Sequence, residues 1–382
     1  MKYFFAKEYE NIQSSFIRDV LKIANQKDVI SFAGGLPNGK LFPKKEIQTI
    51  FKKYSEQLPD DLFQYSATNG LEKLLNTIKT QFDLKGDILI SNGSQQALDL
   101  ISSIFLNTND KILVEEPSYL GAIGLFKSHG AICHTVPLQE DGLDLEYLES
   151  KLQKATYKFF YIIPTFQNPS SITYSLKKRK ALAKLAIKYN LILIEDDPYR
   201  FLNFKNRLQT TLYDLAPKNT LFIGSFSKIL IPSLRVGYIM ATPEILQKIT
   251  VAKQYKDLHT NLFSQYVLYK YLTTFDIFKH IKILNKSYKK KCNFFYKTLK
   301  KELNDTLEVK KPKGGMFLWA RLKNNADSKL LFEEAKKEKI LYIPGSVFFQ
   351  DKSQKSYLRL NFTNSSKKEI KEGIHRLKKI LQ

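Results

Sequence analysis

Cysteine is scarce in this chain. Cys133 and Cys292 are the only two in 382 residues; they lie far apart, in no Cys-x-x-Cys pair and near no cluster of ligand residues. Such a pair builds no disulfide framework, so the expectation is two reduced, buried, structural cysteines in a cytosolic protein. Histidine is scarce too: the five present form no metal-binding spacing, and no metal is expected. No run approaches the roughly 18 apolar residues of a membrane helix, which argues against a spanning segment. The start, Met1-Lys2-Tyr3-Phe4-Phe5-Ala6-Lys7-Glu8, carries charge too early for a secretory signal, so a cytoplasmic location is expected. Internal repeats and low-complexity segments are absent as well.

Acidic residues are outnumbered, 37 against 61 Lys plus Arg, for a net charge of +24. A surplus of this size can mark a nucleic-acid binder. The lysines are scattered, however, with only short clusters such as Lys177-Lys178-Arg179-Lys180 and Lys289-Lys290-Lys291. No helix-turn-helix, zinc knuckle or glycine–aromatic RNA motif accompanies them. Lysine on solvated helix faces explains the charge, and no nucleic-acid partner is expected.

What the chain does have is length and an alternating pattern. At 382 residues it exceeds the size at which one core keeps growing, so one large and one smaller domain are expected. From Asp87 onward, strand, loop and helix repeat. Strands are read at Ile88–Ser91, Lys111–Val114, Ala131–Pro137, Phe159–Ile163, Leu191–Ile194, Thr220–Ile223 and Val236–Met240. The alternation predicts an α/β fold in which a mostly parallel sheet lies between helices. Leu191–Ile194 is apolar throughout, hence a strand buried on both faces. Upstream, a helix capped by Ser14-Ser15 and running through Asn25 carries Arg18, and further helices span Lys44–Lys53 and Leu71–Phe82. Downstream, Pro243 to about Leu303 reads as long helices crossing between domains, and Glu308–Gln382 as the smaller α/β domain.

Ligands of such sheets bind at the carboxyl ends of the strands. Ser94, Tyr119, Asn168, Asp196, Tyr199 and Lys228 all follow predicted strand ends. The centre is Gly224-Ser225-Phe226-Ser227-Lys228, a loop between two buried strands. Lysine normally stays in water; a buried one loses basicity and can form a Schiff base with an aldehyde. The hydroxyls of Ser225 and Ser227 and the guanidinium of Arg235 suit a dianionic phosphate beside it. An aldehyde that carries a phosphate points to pyridoxal phosphate. Asn92-Gly93-Ser94-Gln95-Gln96 opens a helix and offers free backbone N–H groups to an anion. Gly34-Gly35 lets backbone approach a ligand closely or forms a plain turn. A single lysine among 61 basic residues carries little weight; the convergence of six positions on strand ends carries the reading.

Taken together, these segments resemble the fold-type I, class I/II aminotransferases, in the branch of the 2-aminoadipate and kynurenine enzymes. The resemblance covers nearly the whole chain: SFAGGLP at 31–37, QYSATNG at 64–70, SNGSQQALDL at 91–100, EEPSYLGAI at 115–123, IPTFQNPS at 163–170, IEDDPY at 194–199, GSFSK at 224–228, PKGGMFLW at 312–319 and YLRLNF at 357–362. It implies an aminotransferase that moves the amine of an amino acid (2-aminoadipate, glutamate, aromatic or branched-chain) to a 2-oxo acid, with 2-oxoglutarate as acceptor, in a ping-pong cycle.

The resemblance also implies roles. Lys228 carries pyridoxal phosphate and then shuttles a proton between the substrate α-carbon and the cofactor. Asp196 pairs with the pyridinium nitrogen, Asn168 and Tyr199 donate to the ring oxygen, and Tyr119 stacks on the ring. Ser225 and Arg235, with Ser94, Gln95 and Ser227, hold the phosphate. Arg359 grips the substrate α-carboxylate, Gly35 lies beside the substrate, and Arg18 in SSFIRDVLKIA faces the distal carboxylate of an acidic donor. Tyr65 reaches the phosphate of a neighbouring subunit, which implies a homodimer with shared active sites. Residues 1–45 are expected to form an N-terminal arm and part of the small domain, 46–284 the large cofactor-binding domain, and 285–382 the C-terminal small domain.

Two positions depart from the family pattern. Ser171 and Ser233 stand where glycine is usual, and a left-handed backbone at either would store about 1 kcal/mol of strain. Two other functions share the fold: carbon–sulfur lyases, and DNA-bound regulators fused to a winged helix, for which a match beginning near residue 14 leaves no room.

Overall fold

The computed structural model describes residues 3–4, 16–24, 26–55, 58–351 and 354–382. Along the chain its strands are β1 (Ile30–Ser31), β2 (Asp87–Ser91), β3 (Lys111–Glu116), β4 (Ile132–Gln139), β5 (Gly142–Leu143), β6 (Phe160–Ile162), β7 (Leu193–Asp196), β8 (Thr220–Ser225), β9 (Gly237–Ala241), β10 (Leu307–Val309), β11 (Phe317–Leu322), β12 (Ile340–Leu341), β13 (Ile343–Pro344) and β14 (Tyr357–Asn361). Eight of them form one sheet in the order β2-β9-β8-β7-β6-β3-β4-β5. β3 pairs in parallel with β4 and β6, β6 with β7, and β7 with β8. β9 runs antiparallel between β2 and β8, and β5 folds back on β4. The reversal at β9 follows from chain length. Only residues 226–236 join β8 to β9, fewer than the dozen or so that a parallel crossover needs. That short connection is the segment that carries Lys228.

The central strands are buried on both faces, and their side chains alternate between two cores. Leu113 of β3, Phe160 and Ile162 of β6 and Leu193 of β7 pack on one side with Leu148 and with Leu182, Ala183 and Ala186 of the helix Leu176–Lys188. Ile112 and Val114, Tyr161, and Ile194 point to the other side, where Leu98, Ile101, Ile123 and Phe126 meet them. These belong to the helices Ser94–Phe105 and Leu120–Ser128. The predicted layering, sheet between helices, is what forms.

Local differences have local causes. The expected strand Leu191–Ile194 begins only at Leu193, because Leu191 N still bonds Ala186 O at 2.9 Å as the preceding helix closes. Cys292 is fully buried as expected, but Cys133 is only partly so. Cys133 lies on the stretch of β4 that β5 leaves unpaired, since β5 meets only Leu138 and Gln139. The first helix is seen over Phe16–Ile23; Ser14, Ser15 and Asn25, its expected ends, lie outside the described residues.

After the large sheet come the helices Pro243–Asp257, Leu262–Thr274 and Ile277–Leu303. A second, antiparallel sheet follows in the order β10-β11-β14-β13. β1 pairs in parallel with β12, which binds the N-terminal segment to this C-terminal unit. Residues 33–36, which continue from β1, are thereby led past the ends of the large sheet. Among the described residues, no helix is long and apolar enough to cross a membrane, and no group of His, Cys, Asp and Glu is placed to hold a metal ion.

Candidate active site

Strand parity sorts three consecutive acids. Tyr161 pairs with Ile194 across β6 and β7, and Asp196, two residues on, shares that face. The Tyr161 hydroxyl donates to Asp196 Oδ2 at 2.8 Å, while buried Oδ1 has no hydrogen-bond partner. Burial, reinforced by the neighbouring Asp197, pushes the Asp196 carboxyl up to about 7. Glu195 faces the other way, where it accepts from Leu212 N and Tyr213 N at 2.8 and 3.1 Å and meets Arg179 Nη1 at 3.4 Å. Asp197 accepts from Thr165 Oγ1 at 3.1 Å. Asp197 Oδ1 is unpartnered as well, but Asp196 is the member of the trio whose charge acts on Lys228.

Lys228 Nζ donates to Gly35 O at 3.1 Å. Burial, then the charges of Arg359 and Arg235, push its amine down to about 8, against an opposing pull from Asp196. Arg359 enters from β14 and is itself fully buried. Its Nη1 donates to Asn168 Oδ1 at 2.8 Å and its Nη2 to Ala33 O at 2.7 Å. Its guanidinium lies 4.4 Å from the Phe317 ring centre and 5.0 Å from that of Phe348, and Nε is unpartnered. Burial brings it down to about 10. Because Arg359 occupies the Asn168 carbonyl, the Asn168 amide nitrogen is the end left to donate. Burial raises the Tyr199 phenol, and the nearby Asn168 side chain works against that rise. Tyr119 lies within range of the charges of Asp196, Arg359, Arg18 and Arg235, and burial raises its phenol as well. It closes over Gly121, where an added Cβ would come within 2.5 Å of the ring.

The ends of β2, β8 and β9 make a cradle of donors. Arg235, in left-handed backbone at φ 53°, sends Nη2 to Asn92 O at 3.1 Å and Nη1 to Ser227 Oγ at 3.4 Å. Ser225 Oγ accepts from Ser227 N at 3.1 Å. Gly93 takes φ 77°, which favours glycine, and a Cβ there would sit 2.7 Å from Arg235 Nη2 and displace that guanidinium. The next helix opens at Ser94, and its first bond runs from Ala97 N to Gly93 O, which leaves the N–H groups of Ser94 and Gln95 ahead of the ladder. Guanidinium, hydroxyls and helix N–H groups at one spot suit an anion with several oxygens.

This geometry meets a family already described in sequence. The profile of "Aminotransferase class I and II" matches residues 44–377. The chain belongs to this family.

Its similarity to individual aminotransferases extends over whole chains. It is 38% identical to aromatic-amino-acid aminotransferase 1 of Thermococcus litoralis, over 98% of this chain and 93% of that protein. It is 36% identical to the 2-aminoadipate transaminase of Thermus thermophilus, over 99% and 96%. The Pyrococcus horikoshii kynurenine aminotransferase, solved in complex with PMP, superposes with a TM-score of 0.94 at 37% identity, covering 99% of this chain and 96% of that one. The protein is a pyridoxal-phosphate-dependent aminotransferase that acts on amino-acid and 2-oxo-acid substrates. The residues present fit that cofactor. The buried, unpartnered Asp196 Oδ1 suits a cationic ring N–H, and the donor cradle suits a phosphate.

The aminotransferase does not bring every expected residue into one cluster. Tyr65 is 77% exposed, its ring edge-on to His259 at 6.0 Å. Arg18 is exposed on the first helix, near enough for its charge to act on Tyr119. Of the two departures from glycine, Ser171 does take left-handed backbone, φ 59°, and its hydroxyl donates to Phe317 O at 2.7 Å. Ser233 instead lies in a 3-10 turn, and the left-handed residue there is Arg235.

Sequence reading missed Tyr161, which holds Asp196. It also missed a buried group behind it: Glu115 accepts from Tyr174 Oη at 2.5 Å and from Gln167 Nε2 at 3.1 Å, and burial pushes it up to about 7. One signal was present for Tyr161, the single hydroxyl-bearing side chain in the apolar run Phe159–Ile163.

Proposed function

We propose that Lys228 is the residue that holds the cofactor and moves the substrate proton, within a site formed by Asp196, Asn168, Tyr199, Tyr119, Ser225, Ser227, Arg235, Ser94, Gln95 and Arg359. The observation that carries the assignment is the company of Lys228 Nζ: a partly buried amine near the charges of one carboxylate and two guanidiniums. With its amine lowered to about 8, roughly a tenth is neutral at pH 7, so Lys228 can accept a proton without a strong base nearby.

When bound, pyridoxal phosphate supplies an electron sink for the pair left on the substrate α-carbon as its proton departs. Asp196 Oδ1 holds a proton on the ring nitrogen and keeps the ring cationic. The Asn168 amide N–H and the Tyr199 hydroxyl donate to the ring oxygen, and Tyr119 covers the ring face. Ser225, Ser227, Arg235 and the N–H groups of Ser94 and Gln95 hold the phosphate. Arg359 grips the substrate α-carboxylate with its remaining N–H groups, set at a fixed angle by Asn168 and Ala33. Gly35 passes beside the substrate and gives Lys228 Nζ a carbonyl to rest on.

The donor is 2-aminoadipate, glutamate or another amino acid that Arg18 can bind by a distal carboxylate, with aromatic and branched-chain donors also accepted; the acceptor is 2-oxoglutarate. Similarity to a 2-aminoadipate transaminase and the reach of the Arg18 charge to Tyr119 support this reading. The enzyme works as a cytoplasmic homodimer without nucleic-acid or membrane partners, and the exposed Tyr65 enters the site of the second subunit. Residues 46–284 form the large domain; 285–382 with the N-terminal arm form the small one.

Lys228→Ala tests the central assignment: turnover with any amino acid disappears, and retention of full activity refutes it. Arg18→Ala tests the donor: kcat/KM for 2-aminoadipate falls about tenfold or more relative to phenylalanine. An unchanged ratio removes Arg18 from the site.

A further inference from the structure

The turn that opens the helix Ser94–Phe105 is held from behind. Asp257, the last residue of the helix Pro243–Asp257, accepts from Asn92 Nδ2 at 2.6 Å and from Gln96 Nε2 at 2.5 Å, both at Oδ2. Lys253 is fully buried, and its Nζ reaches Asp257 Oδ1 and Oδ2 at 2.8 and 2.9 Å and Gln96 Oε1 at 3.2 Å. Gln96 Oε1 also accepts from Asn92 N at 2.7 Å. The network therefore closes on itself: Asn92 and Gln96, which bracket Gly93, Ser94 and Gln95, are tied to one carboxylate and one ammonium. From the other side, Asn92 O receives Arg235 Nη2 at 3.1 Å.

The orientation of the Gln96 amide is set by charge. Its oxygen faces two donors, the ammonium of Lys253 and the N–H of Asn92, and its nitrogen faces the carboxylate. A flipped amide would set donor against donor at two contacts, Lys253 Nζ and Asn92 N, and acceptor against acceptor at the third, Asp257 Oδ2. The chain also leaves Asp257 by an unusual route: Leu258 takes φ 60° without being glycine, and it is 52% exposed. Core packing does not explain that conformation; it is retained where the aspartate must end its helix pointing at the turn.

We propose that Asp257, braced by Lys253, is a positioning residue for cofactor phosphate. It fixes Asn92 and Gln96, and through them the N–H groups of Ser94 and Gln95 and the reach of Arg235, before the cofactor arrives. Neither Asp257 nor Lys253 touches the phosphate. A cradle of donors binds an anion tightly only if the donors are already in place, and the outer partners of metal ligands, which act in the same way, change affinity by about 10- to 100-fold. This inference rests on the placement of the phosphate at Ser94, Gln95 and Arg235.

The test compares two ligands that differ only in the phosphate. Full-length protein freed of cofactor is titrated with pyridoxal phosphate and, separately, with pyridoxal, and both dissociation constants are read from absorbance. For Asp257→Asn, which turns an acceptor into a donor facing other donors, the constant for pyridoxal phosphate should rise about 10- to 100-fold, and that for pyridoxal by less than about threefold. Lys253→Met is the second variant, for use if Asp257→Asn does not fold, and it should act in the same direction. Arg235→Gln is titrated alongside. If Arg235→Gln lowers the preference for the phosphorylated ligand and the two clamp variants do not, the positioning role is wrong and the phosphate placement stands. If Arg235→Gln leaves the preference unchanged, the placement itself is wrong, and the inference falls with it. If the clamp variants weaken both ligands equally, Asp257 is merely structural and the inference is overturned.

Discussion

A buried lysine that is held partly neutral should cost the cofactor-free protein stability, and the cost should depend on pH in a definite way. Lys228 falls from an ordinary 10.5 to about 8 in the folded chain, mainly through burial and then through Arg359 and Arg235. For a base whose folded value is depressed, the penalty is complete below about 8 and fades as pH rises toward 10.5. Linkage puts it at about 3.3 kcal/mol at pH 7 and about 1.4 kcal/mol at pH 9.5. Lys228→Met keeps most of the apolar stem and removes the charge, at a loss of about 1 kcal/mol for the hydrogen bond to Gly35 O. The cofactor-free variant should therefore be more stable than the parent by about 2 kcal/mol at pH 7 and by less than about 1 kcal/mol at pH 9.5. With an unfolding entropy of about 2.1 cal/mol/K per residue, that is a Tm gain of about 3 °C shrinking to under about 1 °C. Thermal denaturation of both proteins, stripped of cofactor, across pH 6.5–9.5 reads it directly. A gain that stays flat with pH, or a variant less stable at pH 7, would refute the argument that Lys228 is strained by burial and by the two arginines.

Four other outcomes follow from the same contacts. Asp196→Asn should retain cofactor yet slow the half-reaction with an amino acid by about 10²–10³-fold, as seen in a single-turnover absorbance trace; a change below about threefold would remove Asp196 from the chemistry. Tyr161→Phe leaves the buried Asp196 Oδ2 unmet, which should destabilise the protein by about 1–3 kcal/mol in chemical denaturation. Arg359→Lys loses the planar fork and should lower kcat/KM by about 100-fold for acidic and aromatic donors alike, because every amino acid presents the same α-carboxylate. At Ser171, alanine keeps the left-handed strain and loses the hydroxyl bond to Phe317 O, whereas glycine loses the bond but relieves the strain. Alanine should therefore be the less stable variant by about 1 kcal/mol, and equal stabilities would show that φ 59° carries no cost there.

The sequence by itself determined the architecture and the kind of chemistry. Alternating apolar runs and helical stretches specify a sheet between helices, because a strand flanked by crossovers must be apolar on both faces. Strand ends are legible in the same pattern, so the positions of Asp196, Lys228 and Asn168 at those ends could be read before any coordinates. Short, ordered motifs then named the family. What remained hidden were relations between residues far apart in the chain. That Tyr161 holds Asp196 depends on the register of β6 against β7, which no single strand encodes. That Glu195 and Asp197 are turned to other partners depends on helices arriving from residues 176–188 and 212–215. The antiparallel β9 follows from a loop length whose meaning appears only once β8 is placed. The Lys253–Asp257 clamp joins segments 157 to 165 residues apart in sequence, and only the packing of two helices brings a buried ammonium to the glutamine behind the turn. Local pattern determines which elements form and where their ends lie. Pairings across the fold, which decide which charged groups share a desolvated space, are set by tertiary packing alone.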